Sequence, residues 1–580
     1  MDNQRLLPWA FFGMMVWFTY QAWMSDYPPG TSAPSASATE QTQSAPAEAT
    51  EFPSLPAISD PAIVADAPAF EPAYETAPAV EAAPTDDIIV VTTDVLKLEI
   101  DTRGGTLSRA VLLRYPVAKD QPDNLVELLS PIRADLGLVQ TGIRSTGEGE
   151  EPNHRALFSS TSRRFDLNDR DELTIPLTWT DGRGLRVEKT IRLTRGSYII
   201  EIEQQLINGS AEEWQGAAYA QLQRRSKAME RSMFDVDTYS FDGPISYDGE
   251  KSAKQKRDDL LDDGPTTFTT SAGWLASIQH HFLTAIVPAA GTEQRYNFSV
   301  RGDLSLASAI GPTTTVAPGL DAVFNTTVFV GPKLQSQLEQ IDPTLKLTVD
   351  YGWLTIISEP LFWLLAKVYS FFGNWGVAII FVTALIKGAF YKLTQASGRS
   401  MAKMREIQPR MKALQDRYKD DRPALSQAMM ELYKREKVNP AAGCLPVLVQ
   451  MPFFLAFYWV LLESVEMRQA PFALWITDLS TRDPYFILPI IMGAAMLFQQ
   501  RLNPAPADPV QAKVMQVMPI VFTGFFAFFP SGLVLYWVTN TLLSIAQQWR
   551  INQVVAAEGK KGGTKQKKTK KEKKEKNKKQ

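Results

Sequence analysis

The sequence predicts a multi-domain membrane protein: six transmembrane helices joined to a large all-β domain. Three observations carry that reading. Apolar runs of bilayer length crowd the last third of the chain. Residues 88–340 alternate between apolar and polar with period two. Charge is segregated: residues 26–87 hold eleven acidic side chains and no Lys or Arg, whereas 559–580 hold twelve Lys and two Glu. The net charge of −3 therefore averages unlike segments.

The first element is Leu6–Met24, long enough to cross ~30 Å of hydrocarbon. Trp9, Trp17, Tyr20 and Trp23 suit its interfaces. The small-residue pattern Ala36-Ser-Ala38 lies well downstream, so residues 1–25 read as an uncleaved signal anchor rather than a cleaved signal peptide. Residues 26–87 are acidic and rich in Pro and Ala, cannot bury a core, and read as a disordered linker. From 88 to 340, runs such as Asp94–Asp101 and Ser197–Ile207 are punctuated by Gly104-Gly105, Gly182 and Asn208-Gly209, which predicts an antiparallel β-sandwich. The Arg/Lys-rich stretch Arg224–Lys256 reads as a solvated loop.

Residues 350–372 place Thr355, Glu359, Ala366 and Ser370 in one helical sector, flanked by Ser358 and Lys367. That pattern predicts an amphipathic helix lying in the membrane interface. Gly373-Asn374-Trp375-Gly376 separates it from a crossing helix, Trp375–Leu393. Further spans are expected at about Leu445–Glu463, Tyr485–Arg501, Val514–Phe529 and Ser531–Arg550, the last two turning at Pro530-Ser531-Gly532. Together these make a five-helix core over residues 375–550. Within it, residues 398–438 predict a helical hairpin. Met401, Met404, Ile407, Met411, Leu414 and Tyr418 line its first helix, which Pro409 should kink; Leu425, Met429, Leu432 and Tyr433 line its second. That hairpin either packs on itself or presents an adaptable Met-rich surface. Residues 398–440 carry eleven Lys/Arg, while 464–484 carry only Arg468 and Arg482. The basic loop is therefore cytoplasmic. Six spans then put both termini in the cytoplasm and the β-domain outside.

Several function classes lose their signatures. Cys444 is the only cysteine, and His154, His280 and His281 show no metal-ligand spacing. No Gly-rich phosphate loop or serine nucleophile elbow occurs. No metal or cofactor is expected, and no enzyme. What stands out is Lys387, inside the apolar run Val377–Phe390. A charge at such depth costs roughly 2.5–3.5 kcal/mol on insertion scales. It either snorkels toward Lys392 or faces a hydrated cavity. Thr383 and Tyr391 stand one helical turn to either side, and Gln450, Gln499, Gln500, Tyr536, Thr539 and Asn540 supply polarity on other spans. No Asp or Glu lies well inside the spans; Glu463 and Glu466 belong at the opposite face, which disfavours a proton-coupled transporter. The lysine-rich tail suits anionic lipid or, without base-stacking aromatics, a nucleic-acid phosphate backbone such as that of a ribosome.

Tyr351-Gly-Trp353, Gly373–Gly376, Ser400–Met404, Glu436–Pro440, Gly443-Cys444, Gln450-Met-Pro452, Arg468–Trp475, Leu488-Pro489 and Phe529–Tyr536 closely resemble the YidC membrane protein insertases of Gram-negative bacteria, members of the Oxa superfamily. The resemblance implies a hydrophilic groove open to cytoplasm and lipid, with a cation that attracts the polar end of a nascent membrane protein. Here the groove residues would be Lys387, Thr383, Tyr391, Gln450, Tyr536 and Trp537. Apolar segments would slide along Met451 and Phe454 on the third span and Met515 and Phe522 on the fifth. Implied partners are nascent membrane proteins, the Sec translocon, the ribosome and signal-recognition machinery through Lys567, Lys568, Lys570, Lys571, Lys573 and Lys574, and anionic lipid. No small-molecule substrate is implied. The implied location is the bacterial inner membrane, with a periplasmic β-supersandwich. Two positions depart from the family: its groove cation is usually Arg, and a second Tyr usually follows the one at Tyr536. Lys keeps the charge but loses the planar fork. The rival functions are a solute transporter or channel, and an enzyme such as a sugar epimerase housed in the β-domain.

Overall fold

The computed structural model describes residues 87–147, 150–225, 240–418, 421–436, 445–502 and 509–576. The expected signal anchor and linker, and Cys444, lie outside them. The period-two region forms two sheets, of eleven and nine strands. Pairing is antiparallel except where Ile88–Thr92 runs parallel to Arg164–Asp166. The alternation is literal: Ile200, Ile202, Gln204, Leu206 and Asn208 turn inward along one strand, opposite Val328, Thr326, Phe324 and Ala322 for the first four. The inner faces bury Ile89, Leu98, Trp274, Phe298 and Phe329 in the core. One expectation fails here. The stretch Arg224–Lys256 is no solvated loop throughout. It contains a mostly buried strand, Asp242–Tyr247, because Ile245 and Tyr247 supply the apolar face that its basic flanks hide.

Short helices α1 (Arg257–Asp262) and α2 (Gln335–Ile341) precede the helical part. Its helices are α3 (Thr355–Phe372), α4 (Trp375–Ala389), α5 (Tyr391–Arg417), α6 (Arg422–Glu436), α7 (Leu445–Glu463), α8 (Ile487–Leu502), α9 (Pro509–Phe526) and α10 (Ser531–Lys576). Gly373 ends α3 in the left-handed conformation, φ 62°, and the Asn374 side chain caps α4 by accepting from Val377 N at 3.0 Å. The α3 stripe differs from expectation. Ser358 is fully buried, with Leu361, Phe362, Leu365 and Val368, and donates to Ala456 O of α7 at 3.4 Å. The outer face instead carries Trp353, Ile356, Trp363 and Phe371 beside Lys367. Residues Gly352–Phe372 form a helix long and apolar enough to cross a bilayer.

The run Trp375–Leu393 is not one helix. It breaks at Phe390 and turns by 64° into α5. Gln547 Nε2 donates to Lys387 O at 3.2 Å, occupying the carbonyl that Tyr391 N would use in a continuous helix. Phe390 is also pinned edge-on against Phe453, 5.2 Å away. Beyond the bend, α5 runs through Pro409 and pairs with α6. Ile407, Met411 and Leu432 form a small core of their own, ringed by Met404, Leu414, Met429 and Tyr433. The hairpin thus packs on itself. Helix α10 continues into the lysine-rich segment to Lys576.

Candidate functional site: a buried lysine between three helices

Lys387 sits near the end of α4 and is only 7% exposed. Its ammonium donates to Gln450 Oε1 of α7 at 3.2 Å and to Ser544 Oγ of α10 at 2.8 Å. Ser544 passes its own proton to Asn540 O at 2.7 Å, which aims an oxygen lone pair at the ammonium. Both acceptors are neutral, so the charge is solvated by dipoles and not neutralised. The bond to Gln450 and the contact through Ser544 hold three helices around one cation. A Cβ at neighbouring Gly388 would meet nothing within 4 Å, so that side of α4 is uncovered one residue past the buried lysine.

The structure therefore unites Lys387 with Gln450. It separates the other expected groove residues into different roles. Thr383 is buried and donates to Ile379 O at 2.6 Å, keeping its hydroxyl proton inside its own helix. Tyr391 lies past the bend, so the expectation that it continues the Lys387 face by one turn does not hold. Tyr536 is buried with its ring stacked on Phe457 at 4.6 Å and Phe454 at 6.0 Å. Trp537 turns toward the expected slide: it meets Phe454 at 4.7 Å and Phe522 at 6.2 Å, and also Phe526 at 4.9 Å. Phe454 and Phe522 are thus joined through one indole, linking α7, α9 and α10. Met451 and Met515 are half-buried on α7 and α9. Val514, Val517, Ile520, Val521 and Phe525 leave an apolar face exposed on α9. Side chains beyond Val554 are outside the description, which includes all six tail lysines named above.

Sequence reading missed Ser544 and Gln547. Both follow Tyr536 and Asn540 at helical spacing on a predicted span, so the same search for intramembrane polar residues could have reached them.

Matches to known proteins cover both the β-domain and the helical part. Residues 88–364 match the family model for the YidC periplasmic domain and 367–558 match that of the 60Kd inner membrane protein. The membrane protein insertase YidC of Methylococcus capsulatus is 46% identical over 561 residues, covering 96% of this chain and 99% of its own. The chain belongs to the YidC membrane protein insertase family. A second YidC relative, from Thioalkalivibrio sulfidiphilus, is 45% identical over 572 residues, covering 97% of this chain and 100% of its own. A crystal structure described as an active YidC insertase with its first transmembrane domain resolved aligns with a TM-score of 0.37 at 20% identity, over 80% of this chain and 92% of that one. YidC membership makes the chain a membrane protein insertase rather than an enzyme, in the inner membrane, with a periplasmic β-domain.

Proposed function

We propose that this insertase lowers the barrier to moving short polar segments across the inner membrane by receiving them at Lys387. The supporting observation is a buried cation held by two neutral oxygens from two other helices. An incoming carboxylate can displace either weak acceptor and gain a charged partner in a low-dielectric site. Hydrophobic partitioning then releases the client's apolar segment past Phe454, Trp537 and Phe522. Lys serves in place of Arg because Gln450 and Ser544 supply point acceptors, for which a bidentate fork has no use. The client is an apolar segment with a polar end, so nascent membrane proteins are the substrates. The Sec translocon, ribosome, signal-recognition machinery and anionic lipid fit the hairpin and basic tail.

The proposed layout has six spans: residues 1–25, α4, α7, α8, α9 and the first half of α10. In it α3 lies in the interface, and both termini, the hairpin 398–438 and the tail 559–580 are cytoplasmic. The linker 26–87 and the domain 88–340 are periplasmic. Helices α4 and α8, of 15 and 16 residues, span only about 23 Å at 1.5 Å per residue. A bilayer of ~30 Å must thin around them, which shortens the path for a polar segment.

Reconstitution into protein-free liposomes tests this. A one-span client with an acidic tail is translated in their presence, and protease protection of the tail is scored. Insertion should survive Lys387→Arg and fall about tenfold in Lys387→Ala, and further in Lys387→Glu. Equal insertion by all four proteins refutes charge attraction. Saturable small-solute flux without insertion would favour the transporter.

A further inference from the structure

Helix α10 holds Lys387 at both ends of the residue. Ser544 Oγ accepts from the ammonium at 2.8 Å, and one turn later Gln547 Nε2 donates to the Lys387 carbonyl at 3.2 Å. A further turn on, Ile551 is only 1% exposed. It packs on Gly398 of α5: a Cβ there would stand 2.7 Å from Ile551 Cγ2, so the missing side chain lets the two helices close up. Ser544, Gln547 and Ile551 recur at intervals of three and four and form one stripe on α10. That stripe meets the end of α4, the carbonyl at the bend, and α5 beyond the bend.

The bend needs such a support. The chain turns by 64° between α4 and α5. In a continuous helix the Lys387 carbonyl would accept from Tyr391 N. At the bend that carbonyl takes a donor from Gln547, and Phe453 of α7 braces the same corner edge-on to Phe390. Gln547 Oε1 is buried without a partner, so the amide gains nothing there beyond the bond its nitrogen makes.

We infer that α10 is the splint of the bend, with Gln547 the positioning residue that sets the angle of the hairpin and the place of the cation together. The inference rests on the reading of Lys387 as the receiving group. One face of α10 carries all three contacts, so α5 cannot swing without pulling on the turn that solvates the ammonium. A partner that bears on the hairpin therefore reaches Lys387 through α10 without touching it.

The test uses the full chain in liposomes, in a Cys444→Ser background. Spin labels at Ala413→Cys, exposed on α5, and Arg501→Cys, exposed at the end of α8, report the hairpin angle by pulsed EPR; Lys367→Cys on α3 gives a second reference. Ala413 lies about 34 Å along α5 from the bend at 1.5 Å per residue, so a change of about 20° moves it by roughly 12 Å. Gln547→Met is close in volume but has no donor. It should shift at least one of the two distances by roughly 5 Å or more and lower insertion of an acidic-tailed client severalfold. The melting temperature should hold, because the unpaired oxygen leaves with the donor. Gly398→Ala, which must push Ile551 and α5 apart, should act in the same way, and adding Ile551→Ala should bring both readouts back toward the parent chain. Distances that stay put in both single variants, or insertion that holds while the distances move, overturn the splint. If Lys387→Ala inserts the client as well as the parent chain does, the receiving-group reading fails, and the distances alone decide the splint.

Discussion

Two lysines bound what a buried ammonium does in this molecule. Lys189, inside the β-domain, donates to Gly104 O at 2.6 Å, Thr141 O at 2.9 Å and Thr141 Oγ1 at 3.1 Å, and lies 4.9 Å from the Phe158 ring centre. Its three donors are used, and burial pulls its pKa from 10.5 to about 7. It is a cross-brace. Lys387 has two partners from two other helices, one fewer than its three donors. His154 shows the same inward logic as Lys189. It accepts or shares a proton with Tyr219 OH at 2.6 Å, and burial, with Arg155, Lys189 and Arg144 nearby, lowers its pKa to about 3. A neutral, enclosed imidazole gives little support to an epimerase in this domain. Lys189→Met leaves the Gly104 and Thr141 carbonyls without their donor, at roughly 1–3 kcal/mol each. A stability loss of about 3 kcal/mol is expected, read as a lower melting temperature of the full chain. An unchanged melting temperature would mean that water replaces the ammonium.

Helix ends, more than helix faces, organise the next scale. Helix α4 begins where Asn374 caps it and where Gly376 admits the Phe472 ring. A Cβ on Gly376 would stand 2.1 Å from Phe472 Cδ2. Gly376→Ala must therefore push the ring and its segment outward, costing about 1–3 kcal/mol through overpacking. Gly376→Ala with Phe472→Leu should recover much of that. Calorimetric melting of the two variants checks it; equal losses would show that the ring is not the obstacle. The far end of α4 is met by a side chain from another helix, Gln547, and although Gly388 stands two residues before the break, no local pattern announces that pairing. For that reason the apolar run could not show its own bend, and Tyr391 was assigned to a face it does not share.

At the scale of the whole molecule, the junction between β-domain and bundle contains titratable groups that should make docking pH-dependent. Glu466 lies in the 3-10 turn Val465–Met467, and burial raises its pKa from 4.5 to about 7. Its folded pKa is the higher one, so the ionised form is penalised in the docked state. Stability from this group is full below 4.5 and is lost as pH rises through about 7. His281 acts in the opposite sense. Burial, with His280 and Lys333 nearby, holds it well below 6.5, so docking weakens as pH falls through 6.5. Lys333, lowered mainly by burial and raised again by Glu463, also faces the turn, as do Tyr115 and Tyr351, with Arg468 adjoining Tyr115. Comparison with Glu466→Gln isolates the carboxyl. At pH 8 the variant should be the more stable, by on the order of 3 kcal/mol from the shift, and near pH 4 the two should nearly coincide. A constant offset across that range would remove Glu466 as the source.

The sequence by itself determined the division into a β-domain, a membrane bundle and a basic extension, because period and charge are local properties of the chain. It also exposed Lys387, since one charge in an apolar run needs no partner to be conspicuous. Gln450 was legible as a polar residue within an apolar run, whereas Met451, Phe454, Met515 and Phe522 drew notice only through resemblance to a family. Tertiary structure decided the rest. Which neutral oxygens meet the ammonium, where α4 breaks, that Ser358 faces α7, and how Arg468 reaches the Pro116 carbonyl all depend on residues from 63 to 352 positions apart. No periodicity encodes such a pairing, because it is set by where packed helices and a docked sheet bring their ends.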